Sequence, residues 1–285
     1  MYSQEISRRH RAAIVIAIDQ SSSMSGRMNI KDQELSKSDV VSMVTGKLID
    51  ELIMRTHRDN CYRYYYDIAI IGYSGDQVYS LLGSELAFHP ITMLANRSVR
   101  RARYCLTYAT LEQGAVSFNE EVSMWVEPHA EGATPMYKMI NVVTNLVAEW
   151  CAKEENRESF PPLVFNITDG EASDADYEML RRAAQRLKNT GTEDGNTLFV
   201  NIHISSDTNH APIIFPAAHE VPISVRYAHL LMDMSSLIPE QMHSYIALCR
   251  PNFVKPPYLA LSYNASMSEL IVMLNIGSRS LIMGL

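Results

Sequence analysis

The chain has 285 residues, of which 47% are hydrophobic and 20% are charged, and its formal net charge is −7. This is the composition of a globular protein, and it excludes disorder over most of the chain. The acidic balance argues against a general nucleic-acid binder, since neutralising phosphates requires a basic excess. A basic cluster within residues 97–103 is expected to be a solvated face rather than a phosphate site.

Cysteine spacing and hydropathy predict a soluble protein of a reducing compartment. The four cysteines lie far apart in the sequence, which fits neither a disulfide framework nor a zinc ribbon. The apolar run from Ala12 to Ile18 follows several arginines, as in a signal peptide, but it ends at Asp19 with no small-residue cleavage site after it. No stretch approaches the roughly 18 apolar residues of a membrane span. We expect a cytoplasmic location, with neither a membrane nor a nucleic-acid partner.

The chain opens with the pattern of a buried strand, a polar turn and a helix. Residues 12–18 are continuously apolar and rich in β-branched side chains, which is typical of a central parallel strand covered on both faces. A polar turn follows at residues 19–26. Apolar residues that recur at helical spacing predict a helix over residues 38–57, with Ser36 or Ser38 as its cap.

The rest of the chain continues this alternation. Further strands are predicted at residues 66–73, 77–82, 122–126 (an edge strand), 162–168, 197–205 and 227–232. Further helices are predicted from Pro135 over about twenty residues, and at 174–189, 239–249 and 266–280. Thr134 suits the N-cap of the first of these, and Pro135 suits its first position. We interpret residues 1–285 as a single domain with a core of about 12–250. Residues 83–120 and 206–226 are either plain insertions or a surface that recognises a partner protein.

Alternating strands and helices predict an α/β domain built on a doubly wound, mostly parallel sheet with helices on both faces. Right-handed crossovers place the carboxyl ends of the parallel strands, and the loops that follow them, at one rim of the sheet. Ligands of such sheets bind at that rim. The rim loops are therefore where a functional site is expected.

Three of these loops carry oxygen ligands. Asp19, Ser21 and Ser23 follow the first strand, Thr134 precedes a helix, and Asp169 ends a strand. Mg²⁺ prefers oxygen ligands in an octahedral arrangement and keeps part of its water. The three hydroxyls can coordinate as neutral ligands, and the two carboxylates can supply charge directly or through water. An ion with few direct carboxylate ligands gains from an anionic oxygen brought by another molecule, so the pattern predicts a metal that recruits an acidic ligand.

These loops resemble a known family. The segment 19–26, DQSSSMSG, resembles the DxSxS metal-ion-dependent adhesion site (MIDAS) of von Willebrand factor A (vWA) domains. The segment 132–135, GATP, is similar to the family's GxTP loop, and 168–171, TDGE, is similar to its TDG(E) strand end. DxSxS alone is a weak pattern, but all three motifs in order, spanning about residues 12–205, are specific.

The resemblance implies a fold and a metal site. The sheet should have six strands in the order 3-2-1-4-5-6, with the third strand antiparallel. In the family, the positions of Ser21, Ser23 and Thr134 tend to coordinate directly, while those of Asp19 and Asp169 often act through water. The expected cofactor is Mg²⁺, with Mn²⁺ or Ca²⁺ as possible substitutes.

The resemblance also implies a function, namely a non-enzymatic interaction module in which the metal holds an acidic residue of a protein partner. The chain is most like bacterial stand-alone cytoplasmic members, which are associated with tellurite resistance and with gene clusters of kinases and phosphatases. A kinase or phosphatase encoded nearby is therefore an expected partner.

The alternative from another functional class is a metal-dependent, phosphatase-like hydrolase that uses the same rim. It would need a general base near the bound water, and Glu171 is the one obvious candidate in the sequence. The segment 72–75, GYSG, places its second glycine too early for a nucleophile elbow. The histidines lack zinc-site spacing, and no glycine-rich phosphate loop follows the first strand.

Overall fold

The computed structural model describes residues 2–30, 33–110, 114–205, 211–221, 225–250, 256–265 and 269–274. Parts of the proposed insertion at 206–226 and of the predicted helix at 266–280 lie outside these ranges. Residues 269–274 are helical, as predicted for that part. Within the described ranges, no helix is both long enough and apolar enough to cross a bilayer.

A central mixed sheet organises the chain. Its strands are β1 (Ala12–Asp19), β2 (Tyr66–Ser74), β3 (Gln77–Ser80), β4 (His89–Pro90), β5 (Phe160–Thr168), β6 (Leu198–Ile204), β7 (Ile213–Ile214) and β8 (Leu261–Ala265). They lie in the order β7-β8-β6-β5-β1-β2-β3, and β4 also pairs with β2. Strand β1 is parallel to both of its neighbours, so that Ile16 pairs with Ile70 on one side and with Phe165 on the other.

The predicted topology is confirmed. Strands β5, β6 and β8 continue the sheet in parallel, whereas β3 runs antiparallel to β2. Leaving out the two-residue strands β4 and β7, the order is the 3-2-1-4-5-6 arrangement expected from the sequence. Three strands of this sheet were not predicted. The sequence placed the last strand at residues 227–232 rather than at β8, and the two short strands have too few residues to show a period.

Helices cover both faces of the sheet. They are α1 (Lys37–Thr56), α2 (Ile91–Ala95), α3 (Met136–Cys151), α4 (Tyr177–Lys188), α5 (Arg226–Met234) and α6 (His243–Cys249). Alternate residues of β1 point to opposite faces. Ile14 and Ile16 pack in the layer that contains α1, α2 and α6, whereas Val15 and Ala17 pack against α3, α4 and α5. Because helices cover both faces of the sheet, every residue of β1 is buried, which explains its continuous apolar sequence from Ala12 to Ile18.

Two predicted strands are wrong. Residues 227–232 belong to helix α5, in which Tyr227, Leu230, Leu231 and Met234 share the buried side. A short apolar run is compatible with either a strand or a buried helix, and here packing against the sheet selects the helix. The predicted edge strand at 122–126 is instead the end of Gly114–Ser123, which pairs antiparallel with Arg101–Thr110 in a hairpin separate from the central sheet.

The remaining regular elements are short. Two-stranded hairpins pair Arg27–Ile30 with Gln33–Ser36, His57–Arg58 with Cys61–Tyr62, and Gly191–Thr192 with Gly195–Asn196. Single 3₁₀ turns occur at Ser22–Ser25, Glu154–Asn156, Ala218–Glu220 and Glu240–Met242. Helix α1 begins as predicted, with Ser36 at its N-cap and Asp39 completing a capping box.

Candidate metal centre

The carboxylate of Asp19 ends β1 and is buried at the rim of the sheet. Its Oδ1 accepts a hydrogen bond from the backbone N–H of Ser21 at 2.9 Å. Its Oδ2 accepts one from the Thr168 hydroxyl, at the end of β5, at 2.8 Å. Two neighbouring parallel strands therefore hold this carboxylate in place.

The oxygens of the first and third loops form a continuous chain. The hydroxyl oxygens of Ser21 and Ser23 lie 3.0 Å apart. The Ser23 hydroxyl donates to Asp169 Oδ1 at 2.6 Å. Adjacent ligands of an octahedral Mg²⁺ with bonds of about 2.1 Å are separated by roughly 3.0 Å. The two serine oxygens therefore already have the spacing of neighbouring ligands of such an ion.

The loop that carries Thr134 is tied to both of the other loops. The N–H of Ser22 donates to the carbonyl of Gly132 at 2.9 Å. Beyond β5, Ser173 donates its N–H to the Thr134 carbonyl at 2.9 Å, and the Ser173 hydroxyl accepts from the Thr134 N–H at 3.1 Å. The structure thus brings all three predicted loops together, although they are far apart in the sequence.

The backbone conformation at this contact requires glycine at position 132, the glycine of the GATP segment. Its φ is +77°, which disfavours side chains, and an added Cβ would lie 2.8 Å from the Cα of Gly75. The same loop accepts a hydrogen bond from the Gly75 N–H at the Ala133 carbonyl, at 2.9 Å. Only glycine permits this close approach of the Thr134 loop to the end of β2.

The predicted helix-capping role of Thr134 is wrong. Helix α3 begins at Met136 with Pro135 at the N-cap position, so both predicted positions, Thr134 as N-cap and Pro135 as first residue, are one residue too early. The Met136 N–H donates to the carbonyl of Thr134, not to its hydroxyl. Asp174 caps the helix instead, with its two carboxylate oxygens accepting the N–H groups of Tyr137 and Lys138. The Thr134 hydroxyl makes no hydrogen bond to any described residue and is free to act as a ligand.

Burial sets the electrostatics of Asp19. Desolvation raises the pKa of its carboxyl group to about 6, and the hydrogen bonds from Ser21 and Thr168 offset only part of this effect. The negative charge of Asp169 adds to the increase. A nearby cation would stabilise the ionised form of both carboxylates.

Lys37 is a charged residue of the centre that the sequence reasoning missed. It is the first residue of α1, and its Nζ donates to Asp169 Oδ2 at 2.7 Å. The lysine side chain is 12% exposed, and the Asp169 side chain is fully buried. A hairpin separates Lys37 from the DQSSSMSG segment, so its spacing from that motif carried no signal.

A small groove lies beside the third loop. Its volume is about 150 Å³, and its lining includes Glu171, Ala172, Tyr177, Arg226 and Leu230. Glu171, the candidate base of the hydrolase alternative, is exposed. The Glu171 side chain takes no part in the hydrogen bonds that join Asp19, Ser21, Ser23 and Asp169.

The donor set fits a hard cation. Among the described residues, no group of three or more His, Cys, Asp or Glu side chains is arranged to hold a metal ion. The candidate centre instead combines two carboxylates with the hydroxyls of Ser21, Ser23 and Thr134. An all-oxygen set rich in neutral ligands suits Mg²⁺ or Mn²⁺ better than the nitrogen- and sulfur-preferring Zn²⁺.

No protein-family model and no curated protein sequence matches the chain. Several solved structures are similar to it. A von Willebrand factor type A protein from Catenulispora acidiphila has 14% identity and a TM-score of 0.42, and the match covers 70% of this chain and 34% of that one. The VWA domain of SpRpn10 has 12% identity and a TM-score of 0.39, with 80% and 83% of the two chains covered.

Proximal thread matrix protein 1 from the mussel byssus, solved with a zinc-occupied MIDAS motif, has 13% identity and a TM-score of 0.38. That match covers 70% of this chain and 37% of the byssus protein. The chain therefore spans about a third of the length of the Catenulispora and byssus chains. Identities and TM-scores of this size do not assign the chain to a family.

Proposed function

We propose that this chain is a metal-dependent protein-interaction module with a MIDAS-type centre. Ser21, Ser23 and Thr134 would coordinate Mg²⁺ directly, and Asp19 and Asp169 would act largely through bound water. Mn²⁺ or Ca²⁺ could take the same place. The metal would then hold an acidic side chain of a partner protein, with no catalytic turnover.

The observation that carries this proposal is the run of oxygens from Ser21 through Ser23 to Asp169, with 3.0 Å between the serine hydroxyl oxygens. Asp19 lies beside this run, because its Oδ1 accepts the backbone N–H of Ser21. The free hydroxyl of Thr134, on a loop bonded to the other two, adds a third neutral ligand. Neighbouring hydroxyls at ligand spacing are a poor arrangement for nucleophilic catalysis, since neither is hydrogen-bonded to a histidine base.

Charge supports an acidic partner. The centre contains two carboxylates and the ammonium group of Lys37, so its formal charge is −1. A bound Mg²⁺ would leave the loaded centre with one positive charge. A carboxylate from the partner would neutralise that charge and complete the oxygen shell of the ion.

The hydrolase alternative has less support, because Glu171 is exposed and is not tied to the oxygen cluster. The cytoplasmic setting remains part of the proposal. Cys61 and Cys151 are free thiols, which agrees with a reducing compartment.

A pull-down with the tagged chain, in Mg²⁺ and in chelator, tests the proposal. The wild type should retain a partner in Mg²⁺ and release it in chelator, whereas Thr134→Ala should not retain it under either condition. Thr144→Ala is the matched control, because the Thr144 hydroxyl bonds only within helix α3, to the carbonyl of Ile140. Partner binding that is unchanged by chelator or by Thr134→Ala would contradict the proposal. Mg²⁺-dependent phosphatase activity lost in Asp19→Ala would favour the hydrolase.

A further inference from the structure

Lys37 and the Ser23 hydroxyl together occupy both oxygens of Asp169, a carboxylate that the proposed metal needs. Asp169 Oδ2 accepts from Lys37 Nζ at 2.7 Å, and Oδ1 accepts from the Ser23 hydroxyl at 2.6 Å. The Asp169 side chain is fully buried and that of Lys37 is 12% exposed, so solvent screens this pair weakly.

The position of Lys37 is fixed by its backbone and by the loop beneath it. Its N–H donates to the Gly26 carbonyl at 2.9 Å, at the end of the DQSSSMSG segment. The capping box at Ser36 sets the direction in which α1 leaves this point. Its aliphatic stem lies over Gly26, since a Cβ placed there would be 3.4 Å from Lys37 Cε. The backbone hydrogen bond of Lys37 and the packing of its stem on Gly26 therefore both hold the ammonium group next to the candidate centre.

A divalent cation and this ammonium group compete for the same negative charge. The ammonium stabilises the metal-free centre by neutralising Asp169, which is otherwise a buried carboxylate beside Asp19. The same positive charge opposes a cation bound at the neighbouring serines. Both effects lower the affinity of the centre for the metal, since both favour the metal-free form.

We propose that Lys37 is a built-in counter-ion that occupies Asp169 in the metal-free protein and lowers the affinity of the centre for its divalent cation. This inference rests on the proposed function, because it assigns Lys37 a role in setting metal affinity at the same centre. Lys37 is a positioning residue and not a metal ligand, since an ammonium group has no lone pair to donate.

The test is the Mg²⁺ dissociation constant, measured by titration calorimetry, for the wild type and for Lys37→Met and Lys37→Gln. Both neutral variants should bind Mg²⁺ at least about tenfold more tightly, the equivalent of removing one charge interaction of moderate strength. Lys37→Arg, which keeps the charge, should stay close to the wild type. Lys138→Met is the matched control, because Lys138 is an exposed lysine of α3 that donates to the carbonyl of Asp76 and does not touch Asp169.

Thermal melts give a second readout that a purely structural lysine would not produce. In chelator, the neutral variants should melt below the wild type, because Asp169 has lost its cation. Saturating Mg²⁺ should close that gap. A lysine needed only for folding would lower the melting temperature equally in both conditions.

The outcomes are distinct. If the wild type binds Mg²⁺ and both neutral variants bind it equally or less tightly, the role of Lys37 is overturned and the proposed function stands. If the wild type and all variants fail to bind Mg²⁺, both the proposed function and this inference are overturned. Tighter binding by Lys138→Met as well would mean a general effect of surface charge, and it too would overturn the role of Lys37.

Discussion

Asp174 caps the helix that Thr134 precedes. Its Oδ1 accepts the N–H of Tyr137 at 3.0 Å and its Oδ2 accepts the N–H of Lys138 at 2.9 Å, so the first turn of α3 is capped from a different loop. Because this carboxylate satisfies the helix, the hydroxyl of Thr134 has no capping role to fulfil. The stability of α3 therefore does not depend on the Thr134 hydroxyl, which can serve as the proposed metal ligand.

Replacing Asp174 by alanine should therefore destabilise the protein. The loss of a cap costs about 1 kcal/mol, within a range of roughly 0.5–2 kcal/mol. Urea unfolding of wild type and variant would measure it. The control is Asp76→Ala, an exposed carboxylate that accepts only from the neighbouring Gln77 side chain, and its effect should stay within about 0.5 kcal/mol. An equal effect of the two substitutions would show that Asp174 does not cap the helix.

Neighbouring serines provide the sharpest comparison at the candidate centre. Ser22 and Ser23 are both exposed and lie in the same 3₁₀ turn, but only the Ser23 hydroxyl joins Ser21 to Asp169. Saturating Mg²⁺ should stabilise the wild type by about 2.7 kcal/mol at a hundredfold excess over the dissociation constant. Ser23→Ala should lose most of that gain, and Ser22→Ala should keep it. Thermal melts in Mg²⁺ and in chelator measure both, and a loss of the gain in Ser22→Ala would refute this assignment.

Metal affinity should depend on pH through Asp19. Burial raises the pKa of its carboxyl group to about 6, so the group is mostly ionised above that pH and mostly protonated below it. A metal site needs its carboxylates deprotonated, so Mg²⁺ affinity should fall by up to about tenfold for each pH unit below 6. Calorimetry in buffers of different ionisation enthalpy should detect proton release on binding near pH 6 and almost none near about pH 8. An Mg²⁺ affinity that stays constant from about pH 8 down to about pH 4 would contradict the prediction.

The far end of the sheet carries another buried carboxylate, Asp67, whose loss should affect the fold and spare the centre. Asp67 accepts from the Tyr64 hydroxyl at 2.6 Å and from the Trp150 indole N–H at 2.9 Å, and it lies 3.6 Å from Arg11 Nε. It pairs with Ala13 near the start of β1, whereas Asp19 ends that strand. Breaking a buried pair of this kind costs about 3–5 kcal/mol.

Asp67→Ala should therefore lower the free energy of unfolding by an amount of that order, measured by chemical denaturation in chelator. The stabilisation gained on adding Mg²⁺ should match that of the wild type. If Asp67→Ala folds but no longer responds to Mg²⁺, the two ends of the sheet are coupled and the metal effect is not local.

Much of the fold could be predicted from the sequence because its central strands are continuous apolar runs. Strand β1 has this character, strand β5 departs from it only at Asn166 and Thr168, and the helices α1 and α3 show apolar residues at helical spacing. The interpretation of residues 227–232 failed because an apolar run of that length fits either secondary structure, and only contact with the sheet decides between them. The hairpin at 101–123 was missed because it pairs with itself, outside the alternation that organises the rest of the chain.

The candidate centre was predictable in its ligands but not in its supporting residues. Asp19, Ser21, Ser23, Thr134 and Asp169 each follow a strand or precede a helix at one rim, and the structure brings their loops together. Lys37 and Asp174 each bind a residue that is distant in the sequence: Lys37 binds Asp169, and Asp174 caps helix α3. Their roles depend on where helix starts lie in three dimensions, and no spacing in the sequence records that.

Anomalous diffraction from crystals grown with Mn²⁺ tests the central claim most directly, because Mn²⁺ shares the oxygen preference of Mg²⁺ and can be located by its own scattering. A single strong peak should lie within about 2.5 Å of the hydroxyl oxygens of Ser21, Ser23 and Thr134. The carboxylates of Asp19 and Asp169 should flank it. A peak bound elsewhere on the chain, or no peak at these hydroxyls at saturating Mn²⁺, would contradict the assignment of this rim as the metal centre.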